Sequence, residues 1–227
     1  MNRKYAYIAV LIAILYTGCE NANDLLNQHL EKGPITYAGK IDELKMQSGY
    51  KRLRVNIYPA EDVNRSHCIL SWQVTGGERD SVTVEYTEGN YDADSGCYYA
   101  VIPLPSIEGN LLIRAQNVDA FGNRSLVTSE GAFVYGDTYL STLVNASVNF
   151  SAGGTEITFE RKIGAVGNLV SYEQADGQFT EETEVTGSYV LVNAKSGGIL
   201  RSKTRYLVSE TDIDTLTTDH YLETVIP

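Results

Sequence analysis

The stretch Arg52-Leu53-Arg54-Val55-Asn56-Ile57 alternates polar and apolar side chains without a break. Successive side chains of an extended chain point to opposite faces, so this pattern predicts a strand with one buried and one solvent-facing side. The same two-residue period recurs at 68–74, 81–86, 98–104 and 111–118, before a turn at 119–123 and a strand reaching about residue 135. The pattern therefore predicts that the first half of the chain is a series of short, half-buried strands.

With the two-residue period beginning at Lys40, the series amounts to seven short strands separated by Gly, Asn and Asp turns, which is typical of an immunoglobulin- or fibronectin type III-like β-sandwich. The pattern restarts after Gly136-Asp137, with strands expected at 147–150, 156–161, 169–174, 179–185, 189–193, 200–209 and 216–225. The 227-residue chain has room for two domains of about 100 residues each. We therefore predict an all-β fold with tandem sandwiches at 34–136 and 137–227.

The N-terminus has the pattern of an export signal. Arg3 and Lys4 precede an apolar run at 6–15, which is shorter than the roughly 20 residues that span a bilayer. Leu15-Tyr16-Thr17-Gly18-Cys19 then resembles a lipobox, with Tyr16 where a Leu-like residue is usual. We predict a signal peptide at 1–18, a lipid anchor on Cys19 and a tether or short helix at 19–33. The alternative is an ordinary signal peptide or uncleaved anchor in which this cysteine is incidental.

The chain is strongly acidic. Its formal net charge is −11, and loss of residues 1–18 would change this to −13, because Arg3 and Lys4 leave with no acidic group. Such a chain is a poor partner for nucleic acid and is not attracted to anionic lipid head groups. Membrane attachment would therefore depend on the acyl chains of Cys19. We predict an exported protein held at the outer membrane, with exposure at the cell surface left open.

Residues capable of catalysis do not form a recognisable set. Apart from Cys19, the cysteines are Cys68 and Cys97, which allow either a disulfide or two buried free thiols. The three histidines show no spacing typical of a metal site or a nucleophile pair. The segment Asp92-Ala93-Asp94-Ser95-Gly96 superficially resembles a calcium loop but lacks the later ligands that such a loop needs. We predict no catalytic residue, no metal site and no cofactor.

Candidate ligand contacts lie at the ends of the predicted strands. Asn90 and Tyr91 occupy one predicted loop, and Phe121 and Asn123 occupy another. These side chains are suited to stacking on a sugar ring and to bonding hydroxyl groups, although plain turns use the same residue types. Trp72 shares an apolar face with its neighbours and is expected in the core.

Four segments of the chain resemble a known family. They are Gly33–Lys45 (GPITYAGKIDELK), Ile69–Trp72 (ILSW), Asn117–Ser125 (NVDAFGNRS) and Asp212–Asp219 (DIDTLTTD). Together they resemble the characteristic motifs of a domain-of-unknown-function family. Its members are surface lipoproteins from gut anaerobes that encode polysaccharide-utilisation loci. The likeness covers nearly the whole chain after the predicted signal peptide. It implies tandem sandwiches and a surface or outer-membrane address, and it supplies no catalytic residues.

Two short motifs suggest O-linked glycosylation. Asp80-Ser81-Val82 and Asp214-Thr215-Leu216 resemble the Asp-Ser/Thr-aliphatic acceptor used on exported proteins of those organisms. Ser81 and Thr215 are therefore candidate attachment sites. Because short motifs often match by chance, a plain strand edge is the alternative for both.

Three classes of function remain open at this point. The first is a non-catalytic lipoprotein that binds a glycan or a partner outer-membrane protein as an accessory of polysaccharide uptake. The second is a structural spacer or partner-docking lipoprotein with no ligand of its own, and the third is an enzyme of unrecognised type. Sandwich domains serve all three roles, so the fold does not choose among them. The enzyme ranks last because no base, nucleophile or metal set is recognisable.

Overall fold

The computed structural model describes residues 37–73 and 79–227. The predicted signal peptide (1–18), the anchor at Cys19 and the tether (19–33) lie outside these residues. The described part of the chain consists of antiparallel β-sheets, a short α-helix and a 3-10 helix at Glu88–Asn90, so the predicted all-β class is confirmed. No helix in this part combines the length and the apolar content required to cross a membrane.

The first sandwich is formed by the strands between residues 41 and 134. They are β1 (Ile41–Gly49), β2 (Arg52–Pro59), β3 (Arg65–Gln73), β4 (Arg79–Glu85), β5 (Tyr91–Asp92), β6 (Cys97–Pro103), β7 (Gly109–Asp119) and β8 (Thr128–Val134). One sheet has the order β1-β2-β6-β5 and the other has the order β4-β3-β7-β8. With the strands lettered A to G, this is an A-B-E-D sheet facing a C′-C-F-G sheet, which is the immunoglobulin and fibronectin type III arrangement.

The alternation in the sequence determines which side chains form the core. Leu53, Val55 and Ile57 on β2 are fully buried. The opposite sheet contributes Leu70, which is fully buried, and Trp72, which is 5% exposed, so the predicted core position of this tryptophan is confirmed. Each large apolar side chain transferred from water contributes about 1.5–3 kcal/mol, which makes this double layer the main source of stability.

The second sandwich repeats the arrangement with shorter strands. They are β9 (Val148–Phe150), β10 (Glu156–Phe159), β11 (Ala165–Tyr172), β12 (Thr183–Val185), β13 (Tyr189–Val190), β14 (Ile199–Tyr206), β15 (Leu216–Thr217) and β16 (Leu222–Val225). One sheet is β9-β10-β13, and the other is β12-β11-β14, with β15 and β16 both paired to β14. Ile157, Val170 and Leu200 lie at its core.

Some strand predictions for the second sandwich were wrong. The strand expected at 179–185 begins only at Thr183, because the preceding chain turns back and Phe179 bridges Glu173. The strand expected at 189–193 ends at residue 190, since Asn193 has a φ of 55°, which an extended strand cannot hold. The strand expected at 216–225 is split, because Thr218 turns inward and its hydroxyl donates to Asn145 Oδ1 at 2.5 Å.

A helix that the sequence did not predict, α1 (Asp137–Thr142), follows the first sandwich. The Glu108 carboxylate accepts hydrogen bonds from the backbone amides of Thr138, at 3.1 Å, and Tyr139. The first amides of a helix have no partner within the helix, so a carboxylate supplied from elsewhere in the chain stabilises its start. Because the helix depends on this contact with a distant residue, the local sequence does not predict it.

The two sandwiches are joined by a packed junction. Ala38–Pro227 form one compact unit. A third apolar cluster contains Tyr135, Tyr206 and Leu216, with Tyr50, Phe133, Tyr139, Leu140, Leu143 and Ala165 packed against them. Gly49 permits close approach, because a Cβ there would lie 2.6 Å from an Asp214 carboxylate oxygen and 2.8 Å from Ile213 Cγ1. The two sandwiches are therefore held together by side-chain contacts as well as by the chain.

Asn117 is a buried hydrogen-bonding centre of the first sandwich. Its side-chain amide donates to the carbonyl oxygens of Gly39 at 2.8 Å and Lys40 at 3.3 Å, and its Oδ1 accepts the Tyr86 hydroxyl. Its backbone amide donates to Ser125 Oγ at 2.9 Å. This one side chain thus ties the segment that precedes β1 to the opposite sheet.

Candidate functional site

The structure places the four predicted ligand-contact residues at one end of the first sandwich. Asn90 and Tyr91 follow β4, whereas Phe121 and Asn123 lie between β7 and β8. Strand β3 begins at this end, because Arg65 pairs with Asp119 on β7. The expected loop around Asn90 and Tyr91 is instead a 3-10 helix (Glu88–Asn90) followed directly by β5, whereas Phe121 and Asn123 do lie in a connecting segment.

The asparagines of this end are occupied within their own turns. Asn90 donates from its side-chain amide to the Glu85 carbonyl at 2.6 Å and accepts from the Thr87 amide at 3.0 Å. Asn123 donates from its side-chain amide to an Asp119 carboxylate oxygen at 2.9 Å. Hydrogen bonds from residues 121 and 123 to this carboxylate lower the pKa of Asp119 below its usual value. Both asparagines serve the turn geometry in the structure.

The aromatic side chains of the same end remain accessible. Phe121 is 75% exposed and Tyr91 is 45% exposed. The ring of Tyr91 leans on Tyr98 with centroids 5.0 Å apart, and Tyr98 in turn contacts the edge of Tyr86 at 4.6 Å. Tyr86 and Tyr98 pack against the core, so Tyr91 is the outward member of a three-ring stack.

Cys68 and Cys97 are free thiols and both are buried. Of the two alternatives that the sequence allowed, this is the arrangement in the structure. Cys68 shares the inner face of β3, whereas Cys97 lies on the outer side of β6, where it contacts Tyr58. Because the two side chains lie on different faces, they are not positioned to form a disulfide bond with each other. Burial raises the pKa of the Cys68 thiol to about 12.

The segment that superficially resembled a calcium loop is a polar turn. Asp92 accepts a hydrogen bond from the Ser95 amide at 3.1 Å and forms an ion pair with Arg54 at 2.7 Å. In the described residues, no group of three His, Cys, Asp or Glu side chains is placed to hold a metal ion.

The outer face of the β4-β3-β7-β8 sheet carries a groove that sequence reasoning missed. Its volume is about 650 Å³. The lining residues are Ile69, Ser71, Arg79, Ser81, Arg114, Ala115, Gln116, Arg124, Val127 and Ser129. They come from four strands and one connecting segment that are remote in sequence. Only the register of the sheet brings them together, and no local motif marks them.

A row of polar side chains crosses this groove. Ser81 pairs with Ser71, Ser71 pairs with Arg114, and Arg114 pairs with Ser129. Residues paired in this way lie on the same face of a sheet. With neighbouring strands about 4.8 Å apart, the row extends for about 14 Å.

The groove is electrostatically distinct from the rest of the chain. Among the described residues its lining includes Arg79, Arg114 and Arg124 but no carboxylate, although the whole chain has a net charge of −11. All three arginines are exposed. None of them forms an ion pair within the described residues, and Arg124 donates only to the neutral Gln116 side chain, at 3.2 Å. These guanidinium groups are available to a ligand.

A second cavity, of about 530 Å³, lies at the junction. Its lining residues are Tyr50, Arg52, Leu140, Asp214, Thr215, Leu216 and Thr217. Here the cation is neutralised, because Arg52 donates from Nε to Asp214 Oδ2 at 2.9 Å. The predicted glycosylation sites fall in different settings. Ser81 is exposed on an edge strand, whereas Thr215 is half-buried in this cavity.

The strand order defines a tandem fibronectin type III-like protein with open grooves on its surface. The chain belongs to the family DUF4998, a domain of unknown function, which its sequence matches over residues 19–216. A comparison with curated proteins gives no match.

Solved structures similar to this chain share little sequence with it. The FN1–FN3 domains of chicken CNTN1 are 13% identical, with a TM-score of 0.38, over 83% of this chain and 68% of that one. A two-domain fibronectin type III segment of chicken tenascin is 13% identical, with a TM-score of 0.32, over 82% and 99%. A family 76 glycoside hydrolase from a bovine Bacteroides thetaiotaomicron strain is 16% identical, with a TM-score of 0.35, over 43% and 20%.

Proposed function

We propose that this protein is a non-catalytic lipoprotein of the outer membrane that binds a glycan as an accessory of polysaccharide uptake. Anchoring is assigned to Cys19 on the strength of the lipobox-like sequence. The observation that carries the binding role is the open groove on the outer face of the β4-β3-β7-β8 sheet. A rigid sheet presents its side chains in fixed positions, which lowers the entropy cost of binding.

The chemistry of the groove supports binding rather than turnover. Its polar side chains are hydroxyl, amide and guanidinium groups, which donate hydrogen bonds to hydroxyl or anionic oxygens. A guanidinium group stays protonated at working pH and is a poor general base. The lining therefore contains binding groups without a nucleophile and base pair.

A second candidate function is that of a spacer or docking module. It is supported by the junction, where Tyr135, Tyr206 and Leu216 are buried between the sandwiches. The Tyr135 hydroxyl also donates to Asp212 at 2.9 Å across the same junction. A stiff pair of domains would hold a partner at a fixed distance from the membrane.

Affinity electrophoresis of the full chain in gels containing a panel of polysaccharides tests the first candidate. Retardation without release of sugar fragments is the expected result. Comparison of Tyr91→Ala with Arg114→Gln would then show whether the loop end or the sheet face holds the glycan.

A parallel pull-down from native membranes separates the candidates. A stable membrane partner without retardation by any polysaccharide would favour the spacer and reject the glycan-binding role. Release of sugar fragments would reject both non-catalytic candidates.

A further inference from the structure

The three arginines of the groove constrain the chemistry of its ligand. Arg79, Arg114 and Arg124 are exposed and make no ion pair within the described part of the chain. Arginine binds carboxylate, sulfate and phosphate groups in a two-pronged geometry that a neutral hydroxyl does not exploit. Three such groups without a carboxylate among them, on an acidic chain, mark a place where negative charge is locally favoured.

The lining also lacks what a neutral sugar requires. No Trp, Tyr or Phe is among the described residues that line the groove. Aromatic rings supply much of the apolar contact area in binding sites, and without them the affinity must come from charge and hydrogen bonds. A neutral polysaccharide would find only hydroxyl and amide partners here.

The shape of the groove favours a polysaccharide over an extended protein segment. An extended peptide gains affinity by pairing its backbone with the free edge of a sheet. The polar row from Ser81 to Ser129 instead crosses the face of four strands, and its two central residues, Ser71 and Arg114, lie on strands paired on both sides. The row offers three hydroxyl groups and one guanidinium group to a ligand that carries both hydroxyl and anionic groups.

We infer that the groove binds an acidic polysaccharide, with Arg114 at its centre holding a carboxylate or sulfate group. Ser71, Ser81 and Ser129 bond the hydroxyl groups of neighbouring sugar units along the row. Arg79 lies two residues along β4 from the row, about 7 Å away, and meets a second anionic group. This inference rests on the proposed glycan-binding role and specifies the chemical class of the glycan.

The test uses the full chain and three matched polymers: dextran, dextran sulfate and polygalacturonate. We expect retardation by dextran sulfate, polygalacturonate or both, and none by dextran. The two acidic polymers distinguish sulfate from carboxylate. Because the attraction is ionic, affinity should fall as salt is raised from 50 to 200 mM, since the screening length is only about 8 Å at an ionic strength of about 0.15 M.

Two variants locate the site. Arg114→Gln should weaken binding about tenfold, since it removes a charge-assisted hydrogen bond, and Arg114→Lys should retain part of the affinity. The matched control is Arg161→Gln, because Arg161 is an exposed arginine of the second sandwich with no ion pair among the described residues. Circular dichroism confirms that each variant is folded.

The outcomes separate this inference from the proposed function. Equal retardation by dextran and by the acidic polymers would overturn the acidic class. Wild-type affinity of Arg114→Gln would overturn the assignment of the anionic group to Arg114. Either result would leave glycan binding in place. Equally tight binding of single-stranded DNA would overturn the assignment to a polysaccharide. Retardation by no polysaccharide at all would reject the proposed function itself.

Discussion

Arg52 and Asp214, 162 residues apart, form an ion pair that joins the first sandwich to the segment before β15. The same carboxylate accepts the backbone amide of Tyr50 at 2.9 Å. The hydrogen bond from Arg52 is the main cause that lowers the pKa of Asp214 below its ordinary value of 3.8. This single side chain thus accepts hydrogen bonds from the turn after β1 and from the first residue of β2.

Asp214→Asn should lower the free energy of unfolding at pH 7 by about 1–3 kcal/mol, because it weakens charged hydrogen bonds. A depressed folded-state pKa means that the stabilisation is present above the ordinary value of 3.8 and is lost as pH falls through the lower folded value. The difference from wild type should therefore shrink below about pH 4. Urea unfolding at several pH values measures it, with the exposed Glu210→Gln as control. A difference that does not change with pH would contradict this assignment.

Asn117→Ala should destabilise the chain by roughly 2–4 kcal/mol, since it leaves Tyr86 and the Gly39 carbonyl without their partner. Asn110→Ala, at an exposed position on the same strand, is the control and should stay within about 0.5 kcal/mol of wild type. Urea denaturation compares the two variants. Equal midpoints would show that the buried network contributes little.

Neither Cys68 nor Cys97 should react with a thiol reagent in the folded protein. Both are fully buried, and the raised pKa of Cys68, about 12, keeps its thiol protonated at neutral pH. Peptide mass spectrometry after alkylation should find both cysteines modified only when denaturant is present. Detection of a disulfide-linked peptide pair that contains Cys68 and Cys97 under non-reducing conditions would refute the free-thiol arrangement.

The predicted lipid anchor gives a distinct mass at the N-terminus. The mature protein should begin at Cys19 and carry a diacylglyceryl group, and Cys19→Ala should abolish the lipid modification. Mass spectrometry of the purified native N-terminus measures both. A mature chain that begins at another residue would end the lipoprotein interpretation. Protease shaving of intact cells then tests exposure at the surface.

If O-linked glycans are present, Ser81 should carry them in preference to Thr215. Ser81 is exposed on an edge strand, whereas Thr215 lies half-buried in the junction cavity. Intact-mass measurement of the native protein should show a glycan that Ser81→Ala removes and Thr215→Ala does not. No mass difference between wild type and the double variant would exclude both sites. A glycan on Ser81 would also cover the arginine groove and weaken its binding of an acidic polymer.

Strands such as β2 and β7 of the first sandwich could be predicted because one face of each is buried. The alternation at 52–57 lies within β2, and that at 111–118 lies within β7. Prediction from the alternation of polar and apolar residues fails where a buried polar side chain interrupts a strand, as at Thr218. It also fails where a turn imposes a left-handed backbone, as at Asn193. A two-residue alternation carries no information about features that depend on contacts between distant parts of the chain.

The loop end could be predicted, whereas the groove could not. Phe121 and Tyr91 lie next to Gly and Asn turns that mark strand ends in the sequence. Arg79, Arg114 and Arg124 lie far apart in the chain, and each reads as an ordinary solvent-facing strand or turn residue. They meet because β3 pairs with both β4 and β7, a register that depends on long-range pairing.

The exit of the chain from the first sandwich has a mechanical consequence. Lys51 donates its backbone amide to the Tyr135 carbonyl at 2.8 Å, and Tyr135 donates to Gly49 at 3.1 Å, so Tyr50 and Tyr135 form a parallel bridge. Tension applied between the start of β1 and the second sandwich would load these bonds sideways, in shear. Hydrogen bonds loaded in shear share the force, whereas hydrogen bonds pulled apart perpendicular to the strands break one after another. This bridge would therefore resist a pull applied between the start of β1 and the second sandwich.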